Sequence, residues 1–242
     1  MPRDNPPRDT LYRDADQQIV DFVFDETVAG VFPDMIRRSV PGYEAVIPIT
    51  GLIAARHLPD HGLAFDLGCS LGATTLAMLR QLEAQPCRIV GVDNAPAMVE
   101  RARENVIDPR VSFRCEDLRD TNLAGANVIL MNYVLQFLSP DDRLAVLTNM
   151  RRQMNPDGML IVSEKIRFED EFQDRLYDET HLAWKRANGY SDLEISQKRS
   201  ALEKVMVVDT EGMHAQRFVA AGFGKCETWF RCLNWASFLV RP

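Results

Sequence analysis

Short apolar runs alternate with longer amphipathic segments between residues 63 and 164. This alternation is typical of βαβ units, so it predicts a mostly parallel sheet with helices on both faces. Five strands are expected at residues 63–67, 88–93, 111–115, 127–132 and 158–164. Helices are expected between them at residues 72–83, 95–106 and 141–154. The fold class indicated is therefore α/β.

The segment before the first strand has a different pattern. Residues 1–21 are polar and include three prolines, which predicts a mobile tail. From Phe22 onward, apolar residues recur at nearly helical spacing, broken by Pro33 and Pro41. An amphipathic stretch follows at residues 43–58 and is expected to cover one face of the sheet.

The alternation ends after the fifth strand. Residues 169–206 form a long, highly charged and helix-compatible insertion, and insertions at that edge of a sheet commonly lie over a site. A helix is expected near residues 212–221, followed by strands at 226–233 and 235–240 that pair antiparallel. The sheet then has seven strands, and residues 22–242 are expected to form one domain.

Composition narrows the class of protein. The chain has 242 residues, of which 46% are hydrophobic and 26% charged, as in ordinary globular domains. Its net charge of −7 argues against a broad nucleic-acid surface. Basic residues at 185–186 and 197–199 have acidic neighbours in sequence, namely Asp192, Glu194 and Glu203. We therefore expect no direct contact with nucleic acid.

Cysteine and histidine spacing excludes two further classes. The five cysteines include no CxxC pair, and the four histidines are scattered, so neither a disulfide framework nor a metal site is predicted. No apolar stretch approaches the ~18 residues of a membrane span, and the N-terminus lacks an apolar secretory signal. A cytoplasmic protein without metal or membrane contact is expected.

A glycine-rich turn follows the first predicted strand. In FDLGCSLGATT, Gly68 and Gly72 let the backbone approach a ligand closely, although such a turn also suits tight packing alone. Asp93 ends the second strand, where a carboxylate can accept hydrogen bonds from ribose hydroxyls. Asp117 follows the third strand and Asn132 ends the fourth. Polar side chains at successive strand ends predict a nucleoside ligand.

Two nucleoside cofactors fit this pattern. A dinucleotide site normally has GxGxxG, which brings the pyrophosphate to the N-terminus of the helix. Here the segment GCSLG has Ser70 where the third residue would be glycine. The turn therefore favours S-adenosylmethionine over NAD.

Longer motifs resemble known proteins. The chain resembles class I S-adenosylmethionine-dependent methyltransferases, which have a Rossmann-like fold, in the motifs DLGCSLGATT, VDNAPAM and EDLRD. The chain is similar to bacterial carboxy-S-adenosyl-L-methionine synthases in the segments FDETVAGVFPDMIRRSVPGY, LQFL, NPDGMLIVSEK and KRANGYSDLEISQKRSALE. The likeness runs from about Phe22 to the C-terminus. The last segment is the most specific, because ordinary methyltransferases lack this insertion.

The resemblance implies an activity and its partners. The family converts S-adenosyl-L-methionine and prephenate into carboxy-S-adenosyl-L-methionine and phenylpyruvate, and a tRNA carboxymethyltransferase uses the product at the wobble uridine. Ligand contacts are implied at Tyr43, Gly68, Cys69, Ser70, Asp93, Asn94, Asp117, Leu118, Asn132 and Arg199. A homodimer is implied as well, because Arg199 of this family reaches the ligand of the neighbouring subunit.

The implied reaction removes a weakly acidic proton from the methyl group beside the sulfonium. Side-chain bases have reference pKa values of about 4 to 10 and are too weak for this step. The resemblance implies that prephenate supplies the base, since loss of its carbon dioxide expels hydroxide. We therefore expect no catalytic acid or base residue, and an electrostatic role for Arg199, whose guanidinium can hold a carboxylate.

Alternatives remain for single residues and for the whole chain. By its local sequence alone, Arg199 is better interpreted as solvated or in an ion pair with Glu203, and the resemblance favours the ligand role. Tyr43 could instead have a packing role, and Asn132 could equally begin a loop. Cys69 is expected to contribute backbone contacts only, because no basic neighbour activates its thiol. An ordinary small-molecule methyltransferase and a noncatalytic S-adenosylmethionine-binding subunit are the competing functions.

Overall fold

A twisted sheet forms the centre of the computed structural model, which describes residues 7–13, 22–202 and 205–242. Its strands are β1 (Gly62–Leu67), β2 (Cys87–Asp93), β3 (Val111–Cys115), β4 (Ala126–Asn132), β5 (Met154–Arg167), β6 (Asp209–Thr210), β7 (Lys225–Cys232) and β8 (Trp235–Arg241). Their order is β3-β2-β1-β4-β5-β8-β7, and β6 pairs with the end of β5. Strands β1 to β5 pair in parallel, whereas β8 is antiparallel to β5 and β7. The Rossmann-like fold and the seven predicted strands are confirmed, and the two-residue strand β6 was not predicted.

Helices connect the strands. They are α1 (Glu26–Ser39), α2 (Tyr43–His57), α3 (Ala73–Leu82), α4 (Pro96–Asn105), α5 (Pro140–Gln153), α6 (Glu171–Ala187), α7 (Asp192–Leu202) and α8 (Glu211–Ala220). The expected break at Pro41 falls between α1 and α2, but the expected break at Pro33 is wrong, since α1 continues through it. The buried face of α1, with Val28 and Met35, offsets the one backbone donor that proline lacks. No helix in the described ranges is long and apolar enough to cross a bilayer.

The hydrophobic core lies on both faces of the sheet. Successive residues of β4 point to opposite faces, so Leu130 joins one buried cluster and Met131 joins the other. The cluster around Leu130 includes residues of α2, α3 and α4, whereas the cluster around Met131 includes residues of α5 and α8. Helices therefore cover both faces, which leaves the carboxyl ends of the strands as the open edge.

The insertion after β5 folds as α6 and α7, and the N-terminal segment packs against it. The carboxylate of Asp9 is buried and accepts a 2.5 Å hydrogen bond from the Tyr190 hydroxyl, while its backbone N–H donates to Asp34. Residues 7–13 thus include polar contacts with partners distant in sequence, and the mobility of residues 1–21 stays a prediction. Residues 1–6 and 14–21 lie outside the described residues.

Candidate functional site

A cavity of about 410 Å³ opens at the carboxyl ends of β1 to β5, walled by α1 and by the helices of the insertion. It lies where the strand order reverses between β1 and β4, the usual ligand position in open α/β sheets. Nine of the ten predicted contact residues line it. They are Tyr43, Gly68, Cys69, Ser70, Asp93, Asn94, Asp117, Leu118 and Asn132. The structure thus brings these residues together, and their individual binding roles stay predictions.

The glycine turn adopts a left-handed backbone at two of its positions that face the cavity. Gly68 has φ 68° and Ser70 has φ 49°. The backbone N–H groups of Gly68 and Cys69 both donate to the carbonyl oxygen of Val92, at 2.7 and 3.0 Å. A side chain at Gly68 would place its Cβ 2.4 Å from Cγ2 of Val134. Glycine is therefore required there, and the turn is tied to β2.

Asp93 is held by the backbone around it. Its Oδ2 accepts the N–H of Ser70 at 2.9 Å, and its Oδ1 accepts the N–H of Ala95 at 3.0 Å. Burial raises the pKa of Asp93, while these backbone hydrogen bonds oppose the shift. Each carboxylate oxygen keeps a lone pair, so both can accept a ribose hydroxyl without losing a protein contact.

A second carboxyl group, on Asp66, lies buried beneath the turn and was not predicted from the sequence. Its Oδ2 accepts the backbone N–H of Thr75 at 3.1 Å and the Thr75 hydroxyl at 2.7 Å. Burial raises the pKa of Asp66 to about 6, and the hydrogen bonds from Thr75 limit that rise. The pair ties β1 to the first turn of α3 and so supports the glycine turn between them.

The raised pKa of Asp66 predicts a pH-dependent stability. Because the folded protein binds this proton more tightly than the unfolded chain, the contribution is full below pH 4 and is lost as pH rises through 6. Wild type should therefore lose about 1–3 kcal/mol relative to Asp66→Asn between pH 4 and pH 7. Urea unfolding of both proteins across this range measures the difference. Parallel stability curves would contradict the assignment.

Asp117 lies at the edge of the cavity and forms a two-point ion pair. The guanidinium of Arg119 donates from Nε to Oδ1 at 3.0 Å and from Nη2 to Oδ2 at 2.7 Å. Hydrogen bonding to Arg119 lowers the pKa of Asp117, so this carboxylate stays ionised. A charged acceptor beside the apolar side chain of Leu118 suits the amino group and ring of a purine.

Asn132 lies at the end of β4 and has one unused polar atom. Its Nδ2 donates to Oγ1 of Thr74 at 3.1 Å, while its buried Oδ1 has no hydrogen-bond partner among the described residues. An amide oxygen in this state is an acceptor for an ammonium group. This arrangement suits the amino acid end of the predicted ligand.

The residue after Asn132 has a strained backbone. Tyr133 has φ 64°, which is uncommon for a residue with a side chain. The buried carboxylate of Glu164 fixes the next turn, because it accepts the backbone N–H groups of Val134, Leu135 and Gln136 at 3.0, 2.8 and 3.1 Å. Burial raises the pKa of Glu164 to about 8, against the effect of these donors. The strain at Tyr133 aims its ring into the cavity wall.

A row of four rings lines the cavity. The Tyr43 ring, at the start of α2, lies 6.2 Å from that of Tyr133 between centroids. The Tyr133 ring lies 5.2 Å from Trp235, which lies 5.9 Å from His181. Only Tyr43 was predicted from the sequence. The other three belong to separate elements, and nothing in their local pattern distinguishes them from core aromatics.

Three lysines face the same cavity and were also missed. Lys165 belongs to β5, Lys185 to α6 and Lys198 to α7. The sequence suggested that acidic neighbours balance the basic runs at 185–186 and 197–199. Arg186 does pair with Asp192, at 2.6 Å. Lys185 and Lys198, however, line the cavity, which makes one side of it basic.

Arg199 lies outside this cavity. It lines a second pocket, which also includes Lys165, and its Nη1 lies 3.2 Å from Oδ2 of Asp178. Its side chain is 54% exposed on the surface of the insertion. Its predicted alternative partner, Glu203, lies outside the described residues. Arg199 thus lies outside the cavity of its own chain, unlike the other nine predicted contact residues.

Two other chemistries receive no support from the described residues. Burial raises the pKa of Cys69 far above its usual range, so its thiol stays neutral and only its backbone suits ligand binding. Within residues 7–13, 22–202 and 205–242, no three His, Cys, Asp or Glu side chains are grouped to hold a metal ion. The polar chemistry of this site is that of carboxylates, an amide and lysines.

Solved structures share the fold. An O-methyltransferase family protein from Burkholderia thailandensis is 16% identical with a TM-score of 0.66, over 90% of this chain and 60% of its own. Human N-acetylserotonin methyltransferase, solved in complex with S-adenosylmethionine, is 16% identical with a TM-score of 0.63, over 89% of this chain and 55% of its own. A family described as a methyltransferase domain matches residues 64–158.

Sequence relatives are far more similar and cover almost the whole chain. A carboxy-S-adenosyl-L-methionine synthase of Shewanella oneidensis is 49% identical over 240 residues, which is 98% of this chain and 99% of the relative. A protein of the same name from Shewanella sp. strain ANA-3 is 48% identical over the same shares. The aligned residues include the insertion at residues 169–206. The chain belongs to the family of carboxy-S-adenosyl-L-methionine synthases.

Proposed function

We propose that the enzyme converts S-adenosyl-L-methionine and prephenate into carboxy-S-adenosyl-L-methionine and phenylpyruvate. The observation that carries this proposal is the division of one cavity into two chemical halves. The nucleoside half contains Asp93 and Asp117, whose carboxylates suit a nucleoside. The basic half contains Lys165, Lys185 and Lys198, which suit an anionic ligand. Methyl transfer to a neutral acceptor would not require such an anion site. Prephenate is a dianion and fits the second half.

The proposed reaction needs no side-chain base. The ring carboxylate of prephenate leaves as carbon dioxide, and its bonding electrons make the ring aromatic by expelling the ring hydroxyl as hydroxide. The hydroxide takes one proton from the sulfonium methyl group, which gives water and an ylide. The ylide carbon then attacks carbon dioxide and forms the new carboxylate. The protein contributes confinement, exclusion of water and placement of charge.

We also propose that the enzyme is a homodimer in which Arg199 reaches the ligand of the neighbouring subunit. Its exposed position on the insertion, outside its own cavity, supports this arrangement. Phe172 and Leu176 are four residues apart on α6 and both are exposed, which supports an interface on the same insertion. The product would pass in the cytoplasm to a tRNA carboxymethyltransferase, with no direct tRNA contact here.

An ordinary methyltransferase is the second candidate. The match of residues 64–158 to a methyltransferase domain favours it, because that region contains most of the nucleoside half. The two candidate functions differ in whether they need the basic half of the cavity, whose lysines belong to β5, α6 and α7. They also differ in product, so one experiment separates them.

Mass spectrometry of the reaction tests the proposal. The purified enzyme, with S-adenosyl-L-methionine and prephenate and no other protein, should form a nucleoside heavier than the substrate by one carbon dioxide, together with phenylpyruvate. Omission of prephenate should abolish the product. If prephenate is left unchanged and no heavier nucleoside forms, carboxyl transfer is excluded. Turnover by this protein alone also excludes a noncatalytic subunit.

A further inference from the structure

The two ends of the cavity carry opposite charge. Asp93 ends β2, whereas Lys165 lies near the end of β5, three strands away in the order β2-β1-β4-β5. Neighbouring strands lie about 4.8 Å apart, so these strands are separated by roughly 14 Å. The remaining lysines, Lys185 and Lys198, come from the insertion and not from the sheet. A ligand held by Asp93 therefore leaves the basic end available for a second molecule.

The three lysines differ in their partners. Lys198 Nζ lies 3.0 Å from the Ser39 hydroxyl and 3.5 Å from the carboxylate of Asp9. Lys165 Nζ lies 4.0 Å from the carboxylate of Asp178. The ammonium group of Lys185 forms neither an ion pair nor a hydrogen bond with any residue in the described ranges. A half-buried ammonium without a partner costs free energy that an anionic ligand would recover.

Aromatic rings lie directly beside these lysines. Trp235 of β8 pairs with Lys165 of β5 in the antiparallel ladder, so the two side chains are cross-strand neighbours on one face. His181 and Lys185 are one turn apart on α6, and the His181 ring lies 5.9 Å from that of Trp235. His181 is neutral, because burial lowers its pKa to about 3. The basic end thus combines cations with a flat apolar wall.

We propose that this basic end is the donor subsite, in which Lys165, Lys185 and Lys198 hold the two carboxylates of a cyclic dicarboxylate whose ring lies against Trp235 and Tyr133. The assignment rests on the proposed function, with prephenate as the dicarboxylate. The row of rings continues from Trp235 through Tyr133 to Tyr43, toward the nucleoside. The donor ring therefore lies between the insertion and the sulfonium.

The two carboxylates have different lysines. Lys165 is on the sheet edge beside β4, which carries Asn132, so it faces the ring carboxylate that is released and then captured by the ylide. Lys185 and Lys198 are on the insertion and hold the carboxylate of the pyruvyl side chain. Loss of Lys165 should therefore lower kcat, whereas loss of Lys185 should raise KM for prephenate.

Binding of the donor should also change the protonation of Lys185. Burial, and then the ammonium groups of Lys198 and Lys165, lower the pKa of Lys185 to about 7. A bound dianion favours the charged form, so donor binding between pH 7 and pH 8 should take up a proton. The charged and titratable groups around Lys185 are Lys165, Lys198, Arg199, Asp178 and His181.

Four variants test the subsite. Lys185→Met should raise KM for prephenate roughly tenfold or more and leave the affinity for S-adenosylmethionine unchanged. Its melting temperature should be equal to or above that of wild type, since an unpartnered buried charge is removed.

Lys165→Met should lower kcat roughly tenfold or more. Lys185→Arg should retain donor affinity but lose proton uptake, measured by calorimetry in buffers of different ionisation enthalpy. The exposed Lys225→Met is the control and should match wild type.

The outcomes separate the subsite from the reaction. If wild type forms the product, and Lys165→Met and Lys185→Met have the same kcat and KM as wild type, the subsite is excluded and carboxyl transfer is retained. No turnover by wild type, but direct binding of prephenate that Lys185→Met weakens, would keep the subsite and overturn the reaction. Equal binding of prephenate by wild type and Lys185→Met, measured without turnover, would overturn the subsite on its own.

Discussion

Replacement of Gly68 by alanine should weaken the binding of S-adenosylmethionine roughly a hundredfold or more. The backbone at Gly68 has φ 68°, where a side chain costs about 1–2 kcal/mol. The new Cβ would also lie 2.4 Å from Cγ2 of Val134. Val134 has little room to move, because its backbone N–H is held by the buried carboxylate of Glu164. The turn itself must shift, and with it the backbone that faces the ligand.

Gly125 offers a matched control for this substitution. It has φ 79°, but an added Cβ would meet no atom within 4 Å. Gly125→Ala should therefore lose about 1 kcal/mol of stability and keep its affinity for S-adenosylmethionine. Isothermal titration of both variants, with thermal melting, measures the two effects. Equal affinities in Gly68→Ala and Gly125→Ala would contradict a close approach of ligand to the turn.

Replacement of Arg199 by alanine should weaken binding of the carboxylated product roughly 10- to 100-fold and leave binding of S-adenosylmethionine nearly unchanged. The reason is that a guanidinium holds a carboxylate through two charge-assisted hydrogen bonds, and only the product carries the additional carboxylate. Arg175 lines the same pocket as Arg199 and provides the control variant, Arg175→Ala. Product binding as tight in Arg199→Ala as in wild type would remove this role.

If Arg199→Ala and Gly68→Ala each lack measurable turnover, a mixture of the two variants tests whether Arg199 acts on the neighbouring subunit. In a heterodimer of Arg199→Ala and Gly68→Ala protomers, one cavity has both an intact turn and an intact arginine from its partner. Random pairing of equal amounts should restore about a quarter of the wild-type activity. No recovery, or a monomeric mass in solution with full activity, would show that each cavity works with its own chain.

Periodicity predicted the central strands β1, β2 and β4 well because they are buried on both faces. The runs at residues 88–93 and 127–132 are nearly continuous apolar segments, and the structure extends each by only one residue. The glycine turn and the strand-end acids follow from the same topology, so nine of ten predicted contact residues meet in one cavity. Pro33 misled the prediction, because packing kept α1 intact across it.

The basic half of the cavity could not be predicted from local sequence. Lys165, Lys185 and Lys198 belong to a strand and two insertion helices, and a lysine on a charged helix usually faces solvent. Their shared cavity follows from tertiary packing alone. The buried contact between Asp9 and Tyr190 has the same origin, since the two residues are 181 positions apart. Residues that act together across such distances leave no periodic signal.

In the proposed reaction, a cavity of the methyltransferase type serves to form a carbon–carbon bond instead of transferring a methyl group. The nucleoside half, with Gly68 and Asp93, suits any S-adenosylmethionine-dependent reaction on this fold. What favours carboxyl transfer is the basic half that β5 and the insertion helices form together, because it can retain a dianion and then a nascent carboxylate. The methyl group therefore stays on sulfur and gains a carboxyl group, at the cost of one of its protons.

Isotope labelling distinguishes carboxyl transfer from methyl transfer in a single reaction. With S-adenosylmethionine whose methyl group carries three deuterium atoms and with unlabelled prephenate, we expect a nucleoside that is heavier by carbon dioxide and retains two deuterium atoms. Mass spectrometry of the denatured reaction reads both features in one spectrum. S-Adenosylhomocysteine with the trideuterated methyl group transferred intact to another molecule would contradict carboxyl transfer and identify the protein as a methyltransferase.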